Sequence, residues 1–204
     1  MFLILDTETN GLGTRSGSRF GRPRTAPRLL ELAYILASDD GRPQQVYATL
    51  IVPEGFRVSS AARDVHGITT EEATLKGVPV REALESVLHA AERARVIVAH
   101  NAHFDCSVIL GEMERCNLSP RSLFQPWYCT MRGSASVCKG RIAGPWPTLR
   151  DLHRTLFGVE PLVCHRAGAD AEACARCFFE MRRRRQLDRS GLIWVHSSGG
   201  LPPF

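Results

Sequence analysis

Residues 2–12, FLILDTETNGL, carry an unbroken apolar run straight into two acids, Asp6 and Glu8. No polar face interrupts Phe2 to Leu5, so the run reads as a strand covered on both sides. Side chains two apart on a strand share a face, which makes Asp6 and Glu8 project together and turns Thr7 away. Two like charges at the rim of a core repel each other and lose solvation. Residues 1–14 contain no Lys or Arg to offset them. A bound cation is the economical answer, with its remaining ligands drawn from elsewhere in the chain. A doubly covered strand also needs layers on both faces of its sheet. The 204 residues, 44% of them hydrophobic, suffice for one such domain.

The rest of the chain reads as an alternation of short strands and amphipathic helices. Segments 29–38 (LLELAYILAS) and 44–52 (QQVYATLIV) flank the turn signal Asp39-Asp40-Gly41 and read as an antiparallel pair. A short helix is expected within SSAARDVHGIT, and Thr69 or Thr70 caps the next. Val80, Leu84, Val87, Leu88 and Ala91 keep helical spacing, and VIVAH (96–100) follows as a buried strand. Helices are expected again over 103–116, 148–157 and about 169–185, with a strand around WYCTM. The order predicts an α/β domain over residues 1–185, a mixed sheet sandwiched by helices, and a tail over 186–204.

Two further segments place acids after turns. Asp105 follows the strand that ends at His100, in VAHNAHFDCSVI. Asp170 follows His165 in CHRAGADAEA. Each could cap its own helix, since acids are favoured at a helix N-terminus. Together with Asp-x-Glu, however, they form an ordered set. LDTETNGL, AHNAHFD and HRAGADAEA resemble the three motifs of the DEDDh 3′–5′ exonuclease superfamily: Asp-x-Glu, Asn-x-x-x-Asp and His-x-x-x-x-Asp. DVHGITTEEA (64–73) and CTMR (129–132) are similar to the branch containing the proofreading epsilon subunit of bacterial DNA polymerase III.

That resemblance implies an RNase H-like fold, with a five-stranded mixed sheet whose first three strands are antiparallel. It implies a metal-dependent 3′–5′ exonuclease that removes nucleoside monophosphates from DNA or RNA by two-metal-ion hydrolysis. Asp6, Glu8, Asp105 and Asp170 would ligate two divalent cations, Mg²⁺ or Mn²⁺, and His165 would be the general base. Thr7, Asn10, Gly11 and Leu12 would cradle the terminal nucleotide. His66, Asn101, His103 and Phe104 would border the same cleft. The implied partners are single-stranded 3′ ends and a DNA polymerase or repair assembly. An RNase H-type endonuclease also uses clustered acids but does not require the His165–Asp170 pairing, and a binding module requires neither.

Charge and cysteine content fit this picture. The formal net charge is +5, and Arg15, Arg19, Arg22, Arg24 and Arg28 fall in one acid-free stretch. That Gly/Pro/Ser-rich stretch reads as a loop, and it and the run Arg182–Arg185 suit a phosphate backbone. Seven cysteines, scattered over residues 106–177, do not suggest a secreted disulfide scaffold, so a reducing cytoplasm is expected. Cys174 and Cys177 read as small buried hydrophobes, and Trp127 and Trp146, beside prolines, as packing residues rather than base-stacking platforms, though the latter fits single-strand binding.

Overall fold

Strand β1 (Phe2–Thr9) forms where the apolar run predicts and lies near the middle of a six-stranded sheet. The computed structural model describes residues 1–11, 14, 15, 23–25, 27–142 and 144–195; of 14, 15 and 23–25 it describes the backbone. Leu12, Arg19 and Arg22 therefore lie outside the described residues, as do the side chains of Arg15 and Arg24. Within that stretch Thr14–Arg15 (β2) pairs antiparallel with Pro23–Thr25 (β3).

Leu29–Ala37 (β4) runs antiparallel to β1, and Pro43–Leu50 (β5) runs antiparallel to β4. Three helices follow: Ser60–His66 (α1), Thr70–Lys76 (α2) and Val80–Glu92 (α3). Thr69 caps α2 by accepting from the backbone N–H of Glu72 at 3.0 Å. Val96–Ala99 (β6) then lies parallel to β1, with Ile4 opposite Val98. Ala102–Arg115 (α4) leads to Pro126–Cys129 (β7), parallel to β6, and to the short Thr130–Gly133 (α5). Leu149–Phe157 (α6) and Ala167–Arg183 (α7) complete the helices.

The expectation of five strands is corrected to six. Leu192–Trp194 (β8) pairs antiparallel with β7, giving the order β5-β4-β1-β6-β7-β8. Part of the expected tail thus belongs to the sheet. Three residues are too few for an alternation to register in a sequence, yet Ile193 is buried opposite Trp127.

The alternation along β1 sorts the core into two layers. Leu3 and Leu5 face α3 and α4 in a cluster with Tyr34, Ile97 and Trp127. Phe2 and Ile4 face α6 and α7, packed with Val98, Leu152, Cys174, Cys177 and Phe178. Continuing the alternation sends Thr7 towards the α4 layer and Asp6 and Glu8 towards α7. All seven cysteines are free thiols, and Cys174 and Cys177 are buried. Among the described residues no helix is long and apolar enough to cross a membrane.

Candidate active site

Because β1 and β6 are parallel, their C-terminal ends open on the same side, and three chain segments meet there. Asp6 and Glu8 stand at the end of β1. Beyond β6, Asn101 adopts the left-handed conformation at φ 66° as the N-cap of α4, which asparagine tolerates better than most residues. That turn brings Asp105 inward, where it is buried and accepts a hydrogen bond from the Thr7 hydroxyl at 2.8 Å. At the third segment His165 is also left-handed, at φ 60°. Its backbone N–H donates to Asp170 Oδ2 at 2.8 Å, so Asp170 orders the turn that carries the histidine. Glu8, His165 and Asp170 offer ligand atoms that all lie within 4.8 Å of one another.

The carboxylates strain against their setting. Burial, followed by the charges of Asp105, Asp170 and Glu8, pushes the Asp6 carboxyl well above its ordinary range. Burial and then Asp170 raise Glu8 to about 8. Burial raises Asp105 to about 7 against the opposing hydrogen bond from Thr7. Asp170 is also raised by burial, with the His165 backbone N–H and charge working the other way. Arg166 lowers Glu8, but more weakly than the burial and the neighbouring acids raise it. Four carboxylates whose shared negative charge is only partly offset fit a divalent cation.

Two cavities flank the acids, and Glu8 lines both. The larger, about 690 Å³, takes in Asp6, Thr7, Asn101, His165 and Asp170 together with His100, Trp146 and Arg150. The smaller, about 490 Å³, is lined by Gly11, Ser59, Ala62, Val65, His66 and Phe104. Gly11, at φ 137°, adopts a backbone that other residues rarely reach. Phe104 serves both readings, packing on the core while lining the pocket.

Three of the expected substrate residues either have other partners or lie off the two cavities. Asn10 lines neither cavity: its Oδ1 accepts from the Arg28 N–H at 2.9 Å and its own N–H donates to Arg28 O at 3.0 Å. It therefore joins the end of β1 to Arg28, whose Nε in turn donates to buried Glu112 at 2.8 Å. His66 is buried with both ring nitrogens engaged. Its Nε2–H donates to Thr9 O at 3.1 Å and its Nδ1 accepts from the Ile68 N–H at 3.0 Å. The ring lines the smaller pocket. His103 is half-buried in the first turn of α4 and lines neither cavity.

Sequence reasoning missed two contributors. Glu31, paired opposite Glu8 in β4, is buried and accepts from Arg166 Nη2 at 2.8 Å, from Nε at 3.1 Å and from the Ala167 N–H at 2.9 Å. This clamp bolts the start of α7, and with it His165 and Asp170, to the sheet. A lone acid inside an otherwise apolar strand, LLELAYILA, is the available signal. His100 is a second contributor. Pro147 O can only accept, so Nε2–H donates to it at 3.1 Å and Nδ1 accepts from the Thr130 hydroxyl at 2.9 Å. Burial keeps this ring neutral, with its pKa lowered to about 4. Of the two tryptophans read as packing residues, Trp127 is fully buried, whereas Trp146 is 48% exposed on the cleft wall.

A family model described as Exonuclease matches residues 3–178. A Mycobacterium tuberculosis protein whose name couples exonuclease and endonuclease is 30% identical over 206 residues, covering all of this chain and 29% of that protein. Ribonuclease T of Shewanella sp. is 30% identical over 138 residues, covering 61% of this chain and 57% of its own. The chain thus spans less than two thirds of the length of these relatives. Among solved structures, E. coli Exonuclease I in complex with a dA16 oligonucleotide matches with a TM-score of 0.70 at 19% identity. That match covers 90% of this chain and 41% of the other, and it speaks for the fold.

Proposed function

The chain belongs to the exonuclease family, hydrolases that act on nucleic acid ends, and on that premise we propose that it removes nucleoside monophosphates from the 3′ end of single-stranded DNA. The observation that carries the reading is that Asp6, Glu8 and Asp170 line one open cleft with exposed His165, while buried Asp105 lies close enough behind them to raise Asp6 by its charge.

Those four carboxylates would hold divalent cations, which this family generally uses. When bound, such ions supply charge neutralisation, activation of water and stabilisation of a departing oxygen. The remaining work falls to the chain itself. A ring nitrogen of His165 accepts a proton from the attacking water. The water oxygen bonds to the terminal phosphorus, the bond from phosphorus to the preceding 3′ oxygen breaks, and a nucleoside 5′-monophosphate leaves. Asp170 holds the backbone of His165, and the Thr7 hydroxyl holds Asp105. The smaller pocket receives the terminal nucleoside. Its Ala62, Val65 and Phe104 walls suit a base, and Gly11 permits close approach of the sugar.

Single strands labelled at either end, incubated with Mg²⁺, test this directly. Labelled mononucleotide should appear at once from the 3′-labelled strand, while the 5′-labelled strand shortens progressively. Internal cuts would mean an endonuclease, and no turnover a binding module. His165→Ala should lower kcat by about 10² or more, the scale of a general base, with an unchanged circular dichroism spectrum. RNA belongs in the same assay, because one relative is named ribonuclease T. The 2′-OH is what would separate the two substrates.

A further inference from the structure

The loop that leads from α6 to His165 is held by its polar groups and shows its apolar ones to water. Gly158, left-handed at φ 78°, ends α6. His153 Nδ1–H then donates to Val159 O at 2.7 Å, and Glu160 is gripped by Arg154 at 3.0 Å and Arg150 at 3.5 Å. The loop is thus fixed on α6, yet Val159 and Val163 are more than half exposed and Leu162 is fully exposed. Among the described residues no other five-residue stretch exposes three large apolar side chains. Single exposed leucines are ordinary, whereas apolar groups held outward in one patch mark a contact.

Beside this patch runs α7. A cavity of about 210 Å³ is lined by Leu162 and Val163 of the loop and by Ala169, Glu172, Ala173 and Arg176 of the helix. Glu172 and Arg176 are exposed, one helical turn apart. Among the described residues neither has an ion partner within 4 Å: Glu160 is taken by Arg150 and Arg154, and Glu180 by Arg183 and Arg184. The Arg176 guanidinium rests on the Phe157 ring, 5.0 Å from its centre, which fixes it without neutralising it. An acid and a base placed in this way are complementary to themselves. When two copies of α7 cross antiparallel about a two-fold axis between residues 172 and 176, Glu172 of each copy meets Arg176 of the other. The same axis sets the exposed Leu162 of one copy against the apolar cavity of the other, because Leu162 and the cavity share one place on the surface.

We propose that the loop between α6 and α7 and the outer face of α7 form a two-fold contact between copies of this chain, and that the contact braces the turn carrying His165. Val163 stands two residues before His165, whose left-handed turn is held by its backbone bond to Asp170. Burying Leu162 and Val163 against a second copy withdraws the loop from water and restricts that turn. Eight residues line the cavity, against about 20–30 a side in a standard interface, so the contact is weak and depends on concentration. The contact itself is independent of the exonuclease reading; only its effect on turnover rests on that reading.

Sedimentation velocity on the full chain across the micromolar range tests the contact. The unsubstituted chain should pass from one-chain to two-chain mass as its concentration rises. Leu162→Asp should remain at one-chain mass with an unchanged melting temperature, since Leu162 is fully exposed. Glu172→Arg sets like charges together and should weaken association about tenfold or more, while the exchange Glu172→Arg/Arg176→Glu should restore it. A role confined to one chain predicts no such rescue. Mononucleotide released per chain from a 3′-labelled strand should rise several-fold over the same concentrations and stay at the lower value in Leu162→Asp. One-chain mass at every concentration overturns the proposal. So does a dimer that Leu162→Asp leaves intact, or association that the exchange fails to restore in a protein of unchanged melting temperature. Turnover per chain that ignores concentration overturns the bracing of His165. An unsubstituted chain without nuclease activity overturns the exonuclease reading instead, and the sedimentation result is read apart from it.

Discussion

Asp105 begins a helix, where a carboxylate is ordinarily welcome, yet burial drives its pKa up to about 7. Its hydrogen bond from Thr7 opposes that shift without cancelling it. The charge that makes the residue useful to a cation is thus a burden without one. Asp105→Asn removes that charge while keeping the volume. In metal-free buffer near pH 8 this variant should melt at a higher temperature than the unsubstituted chain. Added Mg²⁺ or Mn²⁺ should raise the melting temperature of the unsubstituted chain and leave that of the variant nearly unchanged. Differential scanning fluorimetry reads both. An equal rise in both proteins would remove Asp105 from the ligand set.

Helix α7 carries Asp170 in its first turn, and His165 lies on the turn just before it. Its N-cap, Arg166, makes no side-chain cap. The anchoring comes instead from β4, through the three-point contact of Glu31 with Arg166 and Ala167. The pair is buried only on the Glu31 side, with the Arg166 side chain 42% exposed, so its main effect is to fix geometry through charge-assisted, bidentate hydrogen bonds. Glu31→Gln should therefore loosen the start of the helix without touching substrate. The expected outcome is a fall in kcat of about tenfold or more with KM for the strand little changed, since misplacement by about 1 Å costs up to 10²-fold. Steady-state kinetics on a 3′-labelled strand separates the two parameters. A rise in KM alone would assign Glu31 to strand binding.

Across the molecule, the acid cluster sets how stability follows pH. Glu8 at about 8 and Asp105 at about 7 ionise well above unfolded carboxylates, whose values are about 4.3 and 3.9. Between those limits the folded chain keeps protons that the unfolded chain has lost, so stability falls as pH rises from about 4 to about 8. His100 contributes the opposite slope lower down. Its folded value of about 4 lies below the unfolded 6.5, so its share of stability is complete above pH 6.5 and is lost as pH falls towards 4. Metal-free melting temperatures should accordingly be lower at pH 8 than at pH 6.5. Saturating Mg²⁺ should close that gap by holding the ionised carboxylates. A gap of the same size with and without Mg²⁺ would count against the acids as ligands.

Local pattern alone determined the strand ending in Asp6 and Glu8, the amphipathic helices, and the three spaced motifs that supply the acids and His165. These features are legible because alternation on a strand and periodicity on a helix are properties of covalent neighbours. Tertiary structure decided how the surrounding residues are used. Asn10 is engaged by Arg28, and both nitrogens of His66 are taken by Thr9 and Ile68. Trp146 faces the cleft, Glu31 grips Arg166 from 135 residues away, and Leu192–Trp194 closes the sheet. None of these follows from spacing, because each depends on which distant surfaces pack together and on which donors burial leaves in need of a partner.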